Sequence, residues 1–313
     1  MFEIFSGGFV VSMLTGTIRM SVPILLPALG DIYTQRSGIL NLGIEGIMLM
    51  GALAGFIGVA FTNSLFIGIM FSIIIGMVFA GVMAFLSVTV KANQVIAGTA
   101  ITILGTGLSS FLFRAIFGVQ KLPPLVREFP VYKIPVLSDI PYIGTIFFEH
   151  NIFIYLTYIL VPVTWLILEK TTFGLNVCAV GEHPHAADAK GINVSLTRYM
   201  CVLISGAYAG LGGAFLSIGF MNTFLAQMVG GRGFIAIAVV IFSRWEPFRA
   251  LAAALLFGIA NALQLRLQAM GVPFPPQALQ ALPYIITIIV LLCVSRRAEF
   301  PSAYTIPFRR EER

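Results

Sequence analysis

Between Glu45 and Lys91 the chain carries no charged residue, a run of 45 positions from 46 to 90. At about 1.5 Å per helical residue this run reaches roughly 68 Å, enough to cross a hydrocarbon layer about 30 Å thick twice. Further charge-free runs cover 92–113, 199–231 and 267–295. Only 10% of the 313 residues are charged and 58% are hydrophobic, whereas soluble domains hold roughly 25% charged residues. No soluble fold buries so much apolar surface beneath so few charges. The composition therefore excludes a soluble enzyme, a disordered chain and a disulfide scaffold.

The pattern reads as an all-α polytopic membrane protein. Nine spans are expected, at about 8–30, 44–62, 65–90, 94–115, 151–168, 199–219, 233–243, 248–266 and 281–295. The seventh is too short to cross and is expected to be a broken or half-membrane helix. The whole chain, 1–313, reads as one transmembrane domain, with charges gathered in a loop at 119–150, a loop at 169–198 and a tail at 296–313.

Orientation follows from the basic residues. The tail holds Arg296, Arg297, Arg309, Arg310 and Arg313, which places it in the cytoplasm. Counting back puts 169–198 inside with Lys170, Lys190 and Arg198, and puts 119–150 and the N-terminus outside. The 119–150 loop has prolines at 123, 124, 130, 135 and 141 and reads as a compact external cap. The net charge of +6 is then mainly a mark of topology, and no nucleic-acid partner is expected. The opening MFEIFSGG carries Glu3 and no basic run, so a cleaved signal peptide is not expected. Cys178, Cys201 and Cys293 are too scattered for a disulfide framework or a CxxC metal site.

Catalytic motifs are missing. No Gly-Lys pair occurs, so no P-loop can cradle ATP phosphates, and HExxH and GxSxG are absent. His183 and His185 stand one residue apart, but nothing nearby completes a metal site. No cofactor is expected. Helical spans with polar punctuation point to transport.

Charges within spans are costly and stand out as functional candidates. Arg19, Glu45, Arg232 and Arg266 lie there, with Arg114 near a span end. Glu45 sits among glycines in GILNLGIEGIMLMGA (38–52), with Asn41 one turn before it. It is either a pathway or gate group, or a buried acid that pairs with Arg19 or Arg36 to lock the fold. Asn93 and Gln94 either cap the fourth span or face a pathway. Asn261, Gln264 and Gln268 share one helical face, as a hydrogen-bonded seam or as part of a route. Gly230-Gly231-Arg232-Gly233 leads into the short span like the turn of a broken helix. Gly51–Gly55 and Gly206–Gly210 space small residues for close helix packing.

Residues 169–198, EKTTFGLNVCAVGEHPHAADAKGINVSLTR, exceed what a connector needs, roughly 2–8 residues. Pro184 can start a short helix over 184–190 and Gly191 can stop it. The loop thus presents a short helix on the cytoplasmic face, suited to docking.

At this loop the chain resembles the permeases of bacterial ABC importers for nucleosides, within the branched-chain amino acid and simple-sugar permease superfamily. FGLNVCAVGEHPHAADAKGINV and SGAYAGLGGAFLS carry the likeness. So do GILNLGIEGIMLMGA, KANQVIAGTAITIL, IPVLSDIPYIGTIFF, GRGFIAIAVVIFSRWEP and LPYIITIIVLL, in the family's order and over nearly the whole chain. The resemblance implies a type II importer fold in the bacterial plasma membrane. It also implies a paralogous permease partner, a separate cytoplasmic ABC ATPase that binds the ATP, and a substrate-binding lipoprotein. It assigns Gly181, Glu182, Pro184, Ala186, Ala187, Asp188 and Gly191 to an ATPase-coupling helix. The family often has arginine where this chain has Cys178. Pathway or gate candidates are Asn41, Glu45, Asn93, Gln94, Arg232, Asn261 and Gln264. The alternative is an ion- or proton-coupled secondary transporter or channel for a small polar solute, with Glu45 and Arg232 as a relay.

Overall fold

A computed structural model describes residues 7–118, 124–135, 137–138, 140–270, 275–281, 283–286, 288–289 and 300–310. Among these described residues seven helices are long and apolar enough to cross a membrane. They are α1 (Gly7–Arg36), α2 (Ile44–Thr62), α3 (Leu65–Ala84), α4 (Gln94–Phe117), α6 (Ile152–Lys170), α9 (Val194–Ala214) and α11 (Pro247–Ala269). Wider π turns extend α3 over Phe85–Thr89 and α9 over Phe215–Phe220. Shorter helices are α5 (Ile143–Phe147), α7 (Thr172–Glu182), α8 (Pro184–Ala189), α10 (Arg232–Phe242) and α12 (Pro276–Gln280). Strands β1 (Tyr132–Lys133) and β2 (Glu149–His150) pair antiparallel, Tyr132 opposite His150.

Seven of the nine expected spans are thus helices of crossing length. The expected span 233–243 is the short α10, whose 11 residues reach about 16 Å, half of a hydrocarbon core. The ninth, 281–295, falls largely outside the described residues. The short α10 is the half-membrane helix expected of the seventh segment.

In the structure α2 lies at the centre of the bundle. Of its most apolar 18 residues 83% are buried, against 22% for α3. A helix apolar on every side belongs either in a core or in lipid, and here α2 takes the first role and α3 the second. Glycines let α2, α3 and α9 approach closely. A Cβ at Gly51 would lie 2.6 Å from the Gly210 Cα, and one at Gly206 would strike Gly76 and Ala80. Ser72 of α3 donates to the Gly51 carbonyl at 2.7 Å. Small-residue faces therefore seat backbone against backbone, where dispersion contacts and not hydration hold helices together.

The bundle has two distinct ends. One carries the cap, 124–150, with α5 and the short hairpin. Val126 N donates to Asn222 O at 2.9 Å and Thr223 Oγ1 to Pro124 O at 2.9 Å, tying the cap to the turn after α9. The other end carries α7, α8 and the tail. The tail is seated on these helices. Ala303 N donates to Gly181 O and Thr305 N to Gly38 O, both at 2.9 Å. Phe300 meets the Trp245 ring edge-on at 5.4 Å between centroids.

Candidate functional site

The broken helix organises the middle of the molecule. Gly230 and Gly231 have φ of +57° and +81°, a left-handed turn that glycine enters without a Cβ clash. This turn aims the first N–H groups of α10 at Glu45 of α2. Gly231 N donates to Glu45 Oε1 and Gly233 N to Oε2, both at 2.8 Å. Glu45 is 7% exposed. An acid at a helix N-terminus satisfies orphan donors and meets the positive end of the helix dipole. Arg232 turns back on its own loop, donating to the Met228 and Val229 carbonyls at 3.0 and 2.9 Å.

Glu45 therefore does not pair with Arg19 or Arg36. Arg36 bonds Glu169 at 3.0 Å. The acid holds the half-helix, a locking contact made through backbone N–H groups instead of a cation.

Side chains satisfy several backbone groups around the non-helical link between α1 and α2, as a membrane interior demands. Gln94 Oε1 accepts from Leu40 N at 2.8 Å, Asn41 Oδ1 from Gly43 N at 3.0 Å, and Leu42 O from Thr102 Oγ1 at 2.9 Å. Asn93 accepts from Val95 N and Ile96 N at 2.9 and 3.3 Å, which makes it the cap of α4. Asn41, Glu45, Asn93 and Gln94 are thus engaged in shaping the backbone.

Arg232, Asn261 and Gln264 come together. With Met20, Gly230 and Tyr284 they line a cavity of about 250 Å³ beside the start of α10. Asn261 Nδ2 donates to Phe257 O of its own helix at 2.9 Å. Met20 and Leu265 also line a larger cavity of about 680 Å³, walled by Thr15, Arg19, Tyr142 and Arg266. Arg19 and Phe220 in turn line a third, of about 180 Å³, beneath the cap. The three chambers share walls from the cap to the half-helix. Arg19 stands at the junction of the outer two. It was noted as a span charge but not placed on the route, because only packing decides which helix face meets a cavity.

At the tail end, α8 forms over Pro184–Ala189, with Pro184 in its first turn and Gly191 (φ +86°) after it. The preceding residues 172–182 form α7, a helix the loop composition did not announce. Ala187 is 4% exposed, packed with Val180 and Val194, so it faces inward and offers no docking surface. Gly181 leaves no room for a Cβ against the Arg36 carbonyl. Glu182 accepts from Ser302 N and Oγ at 3.2 and 2.8 Å, and Asp188 pairs with Arg310 at 3.0 Å. His183, His185, Ala186, Ala189 and Lys190 remain exposed. Cys178 Sγ lies 3.6 Å from Arg36 Nη1, so a cation stands beside this position, supplied by α1.

Helices of crossing length packed around a broken helix, with cavities beside it, have the architecture of a membrane transport subunit. Residues 13–294 match the family model described as the branched-chain amino acid transport system permease component. The chain belongs to this family and is a permease subunit of an ABC transporter. It is 38% identical to TsgC13 of Haloferax volcanii, a permease named for glucose transport, over 97% of this chain and 99% of that one. It is 36% identical to NupQ of Bacillus subtilis, a guanosine ABC transporter permease, over 95% and 96%. A solved inward-facing structure of a metal-chelate-type ABC transporter shares the fold with a TM-score of 0.51, at 13% identity over 92% of this chain and 83% of that one.

Proposed function

We propose that the chain is one of two paralogous membrane subunits of an importer for nucleosides. A separate cytoplasmic ATPase drives it, and a substrate-binding lipoprotein feeds it from outside. In this arrangement the N-terminus and cap face outward, the tail end faces the cytoplasm, and ATP binds only to the partner. The observation that carries the proposal is the row of cavities from the cap to α10. Their polar lining is hydrogen-bonding and, at Arg19, Arg232 and Arg266, cationic. Such walls suit a neutral solute rich in hydrogen-bonding groups and disfavour a cation.

The residues act as positioning groups. Glu45 fixes the mouth of α10, and Arg232, Asn261 and Gln264 present hydrogen-bonding atoms to the solute. The exposed face of α8 meets the ATPase. ATPase closure moves α8 with the tail, α7 and the start of α9, because those parts are bonded together. An effector shifts a two-state equilibrium only through contacts that differ between the states, and α8 is where those contacts fall.

The test is uptake of labelled guanosine, adenosine, uridine and glucose in cells that co-express the ATPase. ATP-dependent nucleoside accumulation is expected. Accumulation of glucose alone overturns the nucleoside assignment, and accumulation without the ATPase overturns the ABC mechanism.

A further inference from the structure

Three charged or amide groups beneath the cap have no stated work in the fold. Arg19 is exposed although it lies within α1, and it makes no hydrogen bond or ion pair among the described residues. Glu128 of the cap is also exposed and also unpaired among them. Asn151 donates from Nδ2 to Gly219 O at 2.8 Å, yet its buried Oδ1 has no partner. All three line the 180 Å³ cavity, together with Phe129, Phe220 and Asn222. A charge held at membrane depth without a partner is expensive, and a buried amide oxygen left unbonded adds a smaller cost of its own. Both meet at one cavity, where the donors and acceptors of a ligand would satisfy them.

The cavity is well supported on every side. Asn151 fixes the Gly219 carbonyl within the π turn that ends α9, and such turns are frequent at functional sites. Phe129 is set by an edge-on contact with Phe153 at 5.0 Å between centroids. Phe220 is shared with the 680 Å³ chamber, so a molecule held here has room to extend toward α10.

We infer that this cavity is an entry site for a 6-oxopurine base, in which Arg19 reads the acceptor edge and Glu128 reads the donor edge. This rests on the nucleoside assignment above and deepens it. A guanidinium is a planar fork that meets two adjacent acceptors, such as O6 and N7, in bidentate fashion. A carboxylate is acceptor-only and meets two adjacent donors, such as N1–H and the 2-amino group. Asn151 Oδ1 takes a further donor of the same molecule. The Phe129 and Phe220 rings offer apolar faces against which the purine can stack. The ribose then projects into the larger chamber. A base with the opposite edge pattern, adenine, offers a donor where Arg19 needs an acceptor and is held less well.

Equilibrium binding of labelled guanosine to the assembled transporter, without its binding protein, tests the site. Saturable binding is expected, displaced by inosine more readily than by adenosine. Arg19→Gln and Glu128→Gln should each weaken guanosine binding about tenfold or more and leave adenosine competition within about twofold. Both side chains are exposed, so both variants should assemble normally, which co-purification of the ATPase with each variant verifies. Absent saturable binding, or binding indifferent to both substitutions, overturns the site. If nucleoside uptake persists alongside that result, the importer assignment stands and the site alone falls. If the unsubstituted transporter moves no nucleoside, both fall together.

Discussion

At the tail end, Arg36, Glu182, Asp188 and Arg198 each hold a partner from another element. At the cap end, Arg19, Glu128 and the Asn151 amide oxygen hold none. The contrast is sharpest between two arginines, one buried and one exposed to a cavity. Arg198 is buried and donates from Nε to Ser37 O at 3.1 Å and from Nη1 to Ile306 O at 3.0 Å, joining α9, the α1 terminus and the tail. Arg19 faces open space. Two nitrogens of Arg198 are held by carbonyls, and Arg19 opens on a cavity. At the tail end these four side chains bond separate elements together, and beneath the cap these three polar groups stay available beside bonded ones such as Lys133 and Glu149.

The tail end should break most severely where it is tightest. Gly181→Leu drives a side chain into the Arg36 carbonyl and should cost about 3 kcal/mol or more, read as loss of assembled protein. Gly107→Leu on α4, where a Cβ meets nothing within 4 Å, is the control and should be silent. The contact between the two halves comes next. Glu45→Ala strands two N–H groups of α10, at about 1–3 kcal/mol each, measured by thermal unfolding in detergent. Glu45→Gln keeps one acceptor and should lose about half as much. A transport defect without any loss of stability would mean that Glu45 acts on solute and not on α10.

The two alanines of α8 separate folding from docking. Ala187→Glu buries a charge among Val180 and Val194 and should destabilise by about 2–4 kcal/mol. Ala186→Glu, on the exposed face, should leave unfolding unchanged and abolish substrate-stimulated ATP hydrolysis. Equal effects of the two on stability would erase the distinction between the inner and outer faces of α8.

At the cap end pH should act through His150. Its ring is fully buried, Nε2 lies 2.7 Å from Ile146 O, and Nδ1 has no partner. Burial, the largest influence, holds its pKa below the usual histidine value. The unfolded chain therefore binds the proton more readily, so stability is full above about pH 6.5 and falls as the pH drops below it. His150→Gln should flatten that slope between pH 7.5 and 5.5 in a thermal unfolding series. The smallest effect belongs to Asp188→Asn. Its partner Arg310 is 79% exposed at the side chain, and such pairs contribute about 0.2–1 kcal/mol.

Much of this architecture was legible because crossing length is a local property. Twenty apolar residues in a row announce a span wherever it ends up, and Gly230-Gly231-Arg232-Gly233 announces a break. The hydrogen-bonded partner of Glu45 was not legible, because Gly231 stands 186 positions away and nothing local connects the two. In sequence the tail is only a basic terminus, yet 300–310 is tied down by backbone contacts and by Phe300, Ser302 and Arg310, whose partners lie far away along the chain. Ala187 was grouped with its neighbours as a contact residue because a helix of six residues is too short to reveal its buried face from sequence. Arg19 was visible as a costly charge, but its surroundings come from α1, α9, the cap and the residue before α6 meeting at one point.

The clasp between Glu45 and α10 also bears on how the chain is made. An 11-residue segment is too short to enter a bilayer on its own account. Its acceptor is synthesised early and then waits while nearly two hundred residues follow. During that interval the acid of α2 sits at membrane depth without its donors, and α10 has no stable position until α2 receives it. Insertion of this region must therefore be a late and concerted event in biogenesis. A ribosome-bound chain truncated before Gly231 should remain open to cleavage at the α2 junction, where the complete protein is closed.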